Sequence, residues 1–154
     1  MSRYSDDILA WSKEQAALLQ RLADGERIND QVDWSNVIEE VESVGRSELR
    51  AVTSALRNAM QQKLYLIGWP NAQATEHWRA EARIQLAETV KDFSDSMRQD
   101  IEQDLPGIYR LARLRTEKHV LDEGPLTIPL PEICPWSLSE LLAEGKNGAS
   151  GNDR

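Results

Sequence analysis

Thiol chemistry is nearly absent from this sequence, which has one cysteine, Cys134, in 154 residues. A disulfide needs two thiols and a cysteine-built zinc site needs several at defined spacing, so both are excluded, as is dithiol redox chemistry. Histidine is scarce too, with only His77 and His119. No Glu-x-x-His occurs, the pattern that a carboxylate-bridged di-iron bundle takes from each of two helices. There is no run of 18 apolar residues, so no membrane-spanning helix is expected. The N-terminus, MSRYSDDILAW, lacks the basic start and apolar block of a signal peptide, and a cytoplasmic location is expected. Neither a P-loop, nor Gly-x-Gly-x-x-Gly, nor a Gly-x-Ser-x-Gly elbow is present, which removes the common routes to nucleotide binding and serine hydrolysis. Positive charge is in deficit: 18 Lys and Arg against 26 Asp and Glu give a net charge of −8. The average field therefore repels phosphate backbones and anionic membranes.

A hydrophobic content of 40% over 154 residues supports one core, and the expected organisation is a single helical domain over residues 1–145. KNGASGNDR, residues 146–154, reads as a disordered tail. The apolar positions recur at helical spacing almost throughout. Ser5 is placed to cap a first helix carrying Ile8, Trp11, Gln15, Leu18 and Leu22 as far as Gly25, with Asp6 and Asp7 at the positive end of its dipole. Asp33 caps a second. There Ile38, Val41, Gly45, Leu49, Val52, Leu56, Met60 and Ile67 keep one phase straight through the glycine, which predicts a single long helix from 34 to 68 rather than a helix-turn-helix ending at Gly45. Gly45 then lies on the inner face, at a cost of about 1 kcal/mol against alanine that close approach of another helix would offset.

Trp69-Pro70 ends that helix, and Thr75 is a plausible cap for the next, whose apolar face is Trp78, Ala82, Leu86, Val90 and Phe93. A short helix over 96–104 and another from Pro106 are expected, because proline suits a first helical turn. DEGPLTIPLPEICP reads as an extended, ordered strap. Ser137-Leu-Ser-Glu140 is a capping box for a short last helix stopped by Gly145. The fold class expected is all-α: a helical bundle with one long central helix and a proline-rich C-terminal strap ending in a short helix.

Tyr4, Trp11, the run VIEEVESVGRSE at 37–48, Trp78-Arg79, Tyr109 with Ala112, and PEICPWS at 131–137 stand in an order that resembles the domain-of-unknown-function family numbered 29, a bacterial family rich in cyanobacterial members. The resemblance covers roughly residues 4 to 143. It implies an all-helical fold and no established activity. Relatives tend to carry a histidine near the end of the long helix, where this chain has Gln62, so a general role for that histidine does not carry over.

Candidate chemistry is sparse. On the second helix Glu40 lies far from the apolar stripe, Glu39 flanks it and Glu42 sits at its margin, with Arg46 four residues on to form an intrahelical ion pair. His77 with Glu81 and His119 with Glu123 are each four apart. If a metal were held, the ligands would be Glu39, Glu42, His77 and His119, and the activity a metal-dependent hydrolase; no metal and no cofactor is expected. Cys134, between Ile133 and Pro135 and close to Trp136, reads as a small buried hydrophobe. Arg110, Arg113, Arg115 and Lys118, with Tyr109 as a stacking platform, form the one basic stretch able to follow a phosphate backbone, although pairing with the acidic helix is an equal use. Lys63 falls on the apolar stripe and is expected to snorkel. Five tryptophans, Trp11, Trp34, Trp69, Trp78 and Trp136, fall near predicted helix ends. Most should be core or staple residues, and an exposed one would mark an interface. Enzymatic activity is the lesser expectation. The leading one is a non-catalytic protein-interaction or regulatory module that binds another protein or itself, without membrane or nucleic acid, and its candidate contact residues are Glu42, Arg46, Arg79, Trp78 and Trp136.

Overall fold

The structure is a computed structural model that describes residues 3–119 and 123–150. It is all-α, with no strand among the described residues. In chain order the helices are α1 (Arg3–Asp6), α2 (Ile8–Ala23), α3 (Trp34–Gly68), α4 (Thr75–Asp92), α5 (Arg98–Glu117) and α6 (Leu138–Ser150), with 3-10 turns at Asn29–Gln31 and Asp95–Met97. The long helix has the predicted bounds and passes through Gly45 without a break. The chain forms two compact units, divided within α3 between Ser47 and Glu48.

In the first unit Asp7, not Ser5, caps α2. Its Oδ1 accepts from the Ala10 N–H at 3.0 Å, and Ser5 lies inside α1. Among its described residues Trp11, Gln15, Ile28 and Val32 are the buried side chains. Three polar contacts fix which face of α3 is covered here. Trp11 Nε1 donates to Asp33 Oδ2 at 3.0 Å, Gln15 Oε1 accepts from the Asp33 N–H at 2.8 Å, and the Tyr4 hydroxyl donates to Glu40. The covered face therefore runs along Asp33, Val37 and Glu40. Ile38 and Val41, which the helical phase places inward, point outward: Ile38 is 54% and Val41 69% exposed. A Cβ on Gly45 would meet nothing within 4 Å, so the expected close helix is not supplied within the described residues. The hairpin covers one side of the helix, and its hydrogen bonds to Asp33 and Glu40 hold it beside Val37 rather than over Ile38 and Val41.

The second unit buries the rest of the same stripe. Val52, Leu56, Met60 and Leu64 of α3 are fully buried with Leu86 of α4, Ile101 and Ala112 of α5, Leu130 of the strap, and Leu138 and Leu141 of α6. Each of these side chains larger than Ala112 contributes about 1.5–3 kcal/mol by its removal from water. The strap is tied to the end of α3, where the Gly68 carbonyl accepts from the Thr127 N–H at 3.0 Å and the Thr127 hydroxyl at 2.6 Å.

Three expectations are corrected in this unit. Pro106 does not begin a helix but lies inside α5, which runs unbroken from Arg98. Ile101, Tyr109, Ala112 and Thr116 are all buried on one face of α5, and that shared packing offsets the roughly 3 kcal/mol proline takes from a helix interior. Gly145 does not stop α6, which continues to Ser150, so residues 146–150 of the expected tail are helical and 151–154 lie outside the described residues. Glycine is needed there because α6 crosses α4 closely: a Cβ would sit 2.5 Å from the Leu86 carbonyl oxygen. Lys63 does not snorkel. Its Nζ lies 2.7 Å from Glu144 of α6 and 5.1 Å from the centre of the Trp136 ring, with only 17% of its side chain exposed.

Candidate interaction surface

The first half of α3 carries an apolar face with no described cover in its unit. Ile38 at 54%, Val41 at 69% and Val44 at 63% exposure follow one another along it, and Trp34 stands at its start, 43% exposed, with its indole N–H tied to the Asn29 carbonyl at 2.7 Å. Gly45 leaves a gap in the face where backbone can be approached. Beside it a shallow hollow of about 270 Å³ is lined by Trp11, Ala16, Leu19, Val37, Val41 and Val44. Scattered exposed apolar side chains are ordinary, whereas a contiguous run on one helix face is the kind of patch that contact surfaces use.

Charge lies along one edge of this face. Arg46 Nη2 is 2.7 Å from Glu39 Oε1, and Arg46 Nη1 is 3.7 Å from Glu42 Oε2. All three side chains are more than half exposed, so the pairs stabilise little in the isolated helix. Glu40 has a different role from its neighbours. It accepts from the Ser43 hydroxyl and from Tyr4, and the bond from Tyr4 holds that phenol above its usual pKa. Asp33 is held below the usual carboxylate range by the Asn36 amide and the Trp11 indole, which donate to its charged form.

The other residues singled out in the sequence fall elsewhere. His77 is exposed on α4. His119 lies just past α5, its ring 4.4 Å from Tyr65 and 5.9 Å from Trp69, and its Nε2 is 3.6 Å from Glu123 Oε2. Glu39 and Glu42 belong to the first unit and both histidines to the second, and among the described residues no group of three or more His, Cys, Asp or Glu is placed to hold a metal ion. Trp78 is unavailable as a contact residue: it is 5% exposed and packed against Tyr65 and Trp69, because its position on α4 faces that aromatic cluster. Arg79 is exposed and paired with Glu76 at 2.6 Å.

Tyr109 is also withdrawn, 2% exposed with its hydroxyl donating to the Pro131 carbonyl, so it offers no platform for a base. Arg113 lies 3.0 Å from Glu117, leaving Arg110, Arg115 and Lys118 as the exposed cations of that stretch. A groove of about 660 Å³ between α5 and the strap is lined by Leu105, Pro106, Tyr109, Arg110, Cys134 and Trp136 among others. Trp136 is half-buried in it, edge-on to Tyr109 at 6.2 Å. Cys134 donates to the Trp136 carbonyl at 3.2 Å, and burial pushes its thiol pKa up, away from a reactive thiolate.

Sequence reasoning missed two features. Arg57 has an Nε buried without a hydrogen-bond partner, and burial together with Arg115 lowers its pKa; a cation off the apolar stripe gave no sign of this. The outward turn of Ile38 and Val41 was also missed, although a glycine in core phase at 45 was a signal that something must come close there.

The family described as Domain of unknown function DUF29 matches residues 3–145, and the chain belongs to it. The chain is also similar, at 23% identity and a TM-score of 0.68, to a crystallographically solved α-helical protein of unknown function from Rhodospirillum rubrum, over 100% of this chain and 99% of that one. The likeness carries the all-α fold. No curated protein matches. Among the described residues no helix is long and apolar enough to cross a membrane.

Proposed function

We propose that this DUF29 member is a non-catalytic helical interaction module, with the open face of α3 around Ile38, Val41, Val44 and Gly45 as its contact surface. One observation carries the reading. A single apolar phase runs the length of α3, and the part beyond the second unit is exposed at 54%, 69% and 63% for Ile38, Val41 and Val44. Leaving such side chains more than half in water forgoes part of the roughly 1.5–3 kcal/mol that full burial of each contributes, a cost that a partner's cover recovers. Glu42 and Arg46 rim this surface and would set orientation more than affinity. A reducing, cytoplasmic setting suits the one free thiol.

The test is site-specific photo-crosslinking in the cells that produce the protein, with the reactive side chain at position 41 or, as a control, at Lys13, exposed on α2. A protein adduct at 41 and none at 13 is the expected result. Equal or absent adducts at the two positions would end the proposal.

A further inference from the structure

We infer that the partner on the open face of α3 is a second copy of this chain, crossing antiparallel about a two-fold axis at the level of Ser43. This rests on the interaction reading above and names its occupant.

Three features of the helix point to self-pairing. The first is the arrangement of the face. With the axis at residue 43, Val41 of one copy lies level with Gly45 of the other, and the reverse holds by symmetry. Val41 is the most exposed of the three apolar side chains, and Gly45 has nothing within 4 Å of where a Cβ would stand. A projecting side chain and an empty position two residues either side of one point are what an isologous contact requires.

The second is charge. Glu39, Glu42 and Arg46 lie on the same edge of the apolar face, acids toward the N-terminus and the arginine toward the C-terminus. In an antiparallel pair each edge of a helix meets its own counterpart. At about 1.5 Å rise per residue, Arg46 of the second copy comes level with residue 40, within about 3 Å in height of both Glu39 and Glu42. The edge is therefore complementary to itself when reversed, whereas an unrelated partner would have to supply that pattern independently.

The third is extent. Residues 34–47 span only about 20 Å of helix, so the contact sits at the small end of specific interfaces. A contact confined to this face suits a reversible dimer in the micromolar range, whose cores remain intact when it separates.

Sedimentation equilibrium on the full chain tests this, reading mass against the 17.5 kDa of one copy. The wild type is expected to approach twice that mass with a micromolar dissociation constant. Val41→Glu, at a position too exposed to disturb the fold, is expected to weaken the dimer more than about 100-fold, because it buries an unpartnered charge. The decisive arm uses two charge variants, Arg46→Glu and the double variant Glu39→Lys with Glu42→Lys. Each alone should be monomeric by repulsion along its own edge, and an equimolar mixture should recover a heterodimer. A wild type that stays monomeric well above micromolar concentration, or a mixture that stays monomeric while wild type dimerises, overturns the inference. The adduct at position 41 separates the two levels of the argument. Cross-linking to another copy supports self-pairing; cross-linking to a different protein overturns it and leaves the interaction reading standing; no adduct removes both.

Discussion

Replacing Gly145 by alanine should destabilise the protein, against the rule that alanine improves a helix. Alanine in a helix interior is better than glycine by about 1 kcal/mol, and α6 continues through this position. The added Cβ, however, would stand 2.5 Å from the Leu86 carbonyl oxygen, 2.6 Å from Val90 Cγ2 and 3.0 Å from the Leu86 carbonyl carbon. Ordinary contacts between carbons lie near 3.5–4.0 Å. The nearest atoms belong to the α4 backbone, which cannot swing aside as a side-chain end can, so α4 and α6 must separate by most of an ångström. A gap of that size forfeits a quarter to a half of the dispersion energy of the contacts it opens. Overpacking of this kind costs about 1–3 kcal/mol, and the backbone clash puts Gly145→Ala at the upper end. After the helix-propensity gain the net loss is about 2 kcal/mol, or about 4–8 °C in Tm for a chain this long.

Gly45→Ala is the matching control. The same chemical change is made inside a helix, but nothing lies within 4 Å of the new atom, so only the propensity term operates. It should gain about 1 kcal/mol. Urea titrations and far-UV circular dichroism melts, run at a dilution where the chain is monomeric, read both. Opposite signs are required; a Gly145→Ala protein as stable as wild type, or more so, would refute the close crossing of α6 over α4. At high concentration Gly45→Ala carries a second expectation, a weaker dimer, because its methyl occupies the place taken by Val41 of the other copy.

Two further outcomes follow from the polar contacts. Asp33 has a folded pKa below its unfolded value of about 3.9, so its contribution is complete above that value and is lost as pH falls through the folded pKa. The acid limb of a stability profile should flatten in Asp33→Asn, and an unchanged limb would remove Asp33 as an anchor of the first unit. Cys134, with its pKa raised by burial, should react with iodoacetamide more slowly than a free cysteine at pH 8 and speed up on unfolding in urea; a rate at or above that of the free thiol would refute its burial.

The long helix was legible because its evidence is redundant: the phase repeats from Ile38 to Ile67, and a single glycine does not reset it. Single breaker residues misled, because their local meaning depends on what packs against them. Pro106 looked like a helix start, yet Ile101 and Tyr109 on either side of it share one buried face and hold the helix together through it. Gly145 looked like a stop and is instead a place where another backbone passes. Lys63 was expected in water because its carboxylate partner, Glu144, lies 81 residues away and only the packing of the second unit brings it within 2.8 Å. The conditional metal set of Glu39, Glu42, His77 and His119 divides between the two units for a related reason. Helical spacing says which residues share a face of one helix, and nothing about which helices meet.

That distinction also decides how the open face of α3 should be read. Periodicity identified Ile38, Val41 and Gly45 as belonging with Val52 and Leu56, and chemically they do. In the second unit the stripe is covered by α5, α6 and the strap; in the first, Tyr4, Trp11 and Gln15 hold the hairpin by hydrogen bonds to Glu40 and Asp33, on the other side. Those contacts are specific: rotating the hairpin onto the apolar face would part the Trp11 indole from Asp33 and leave that buried N–H without its acceptor. The same polar contacts that hold the hairpin therefore leave Ile38 and Val41 exposed, and that open strip is what the proposed second copy would cover.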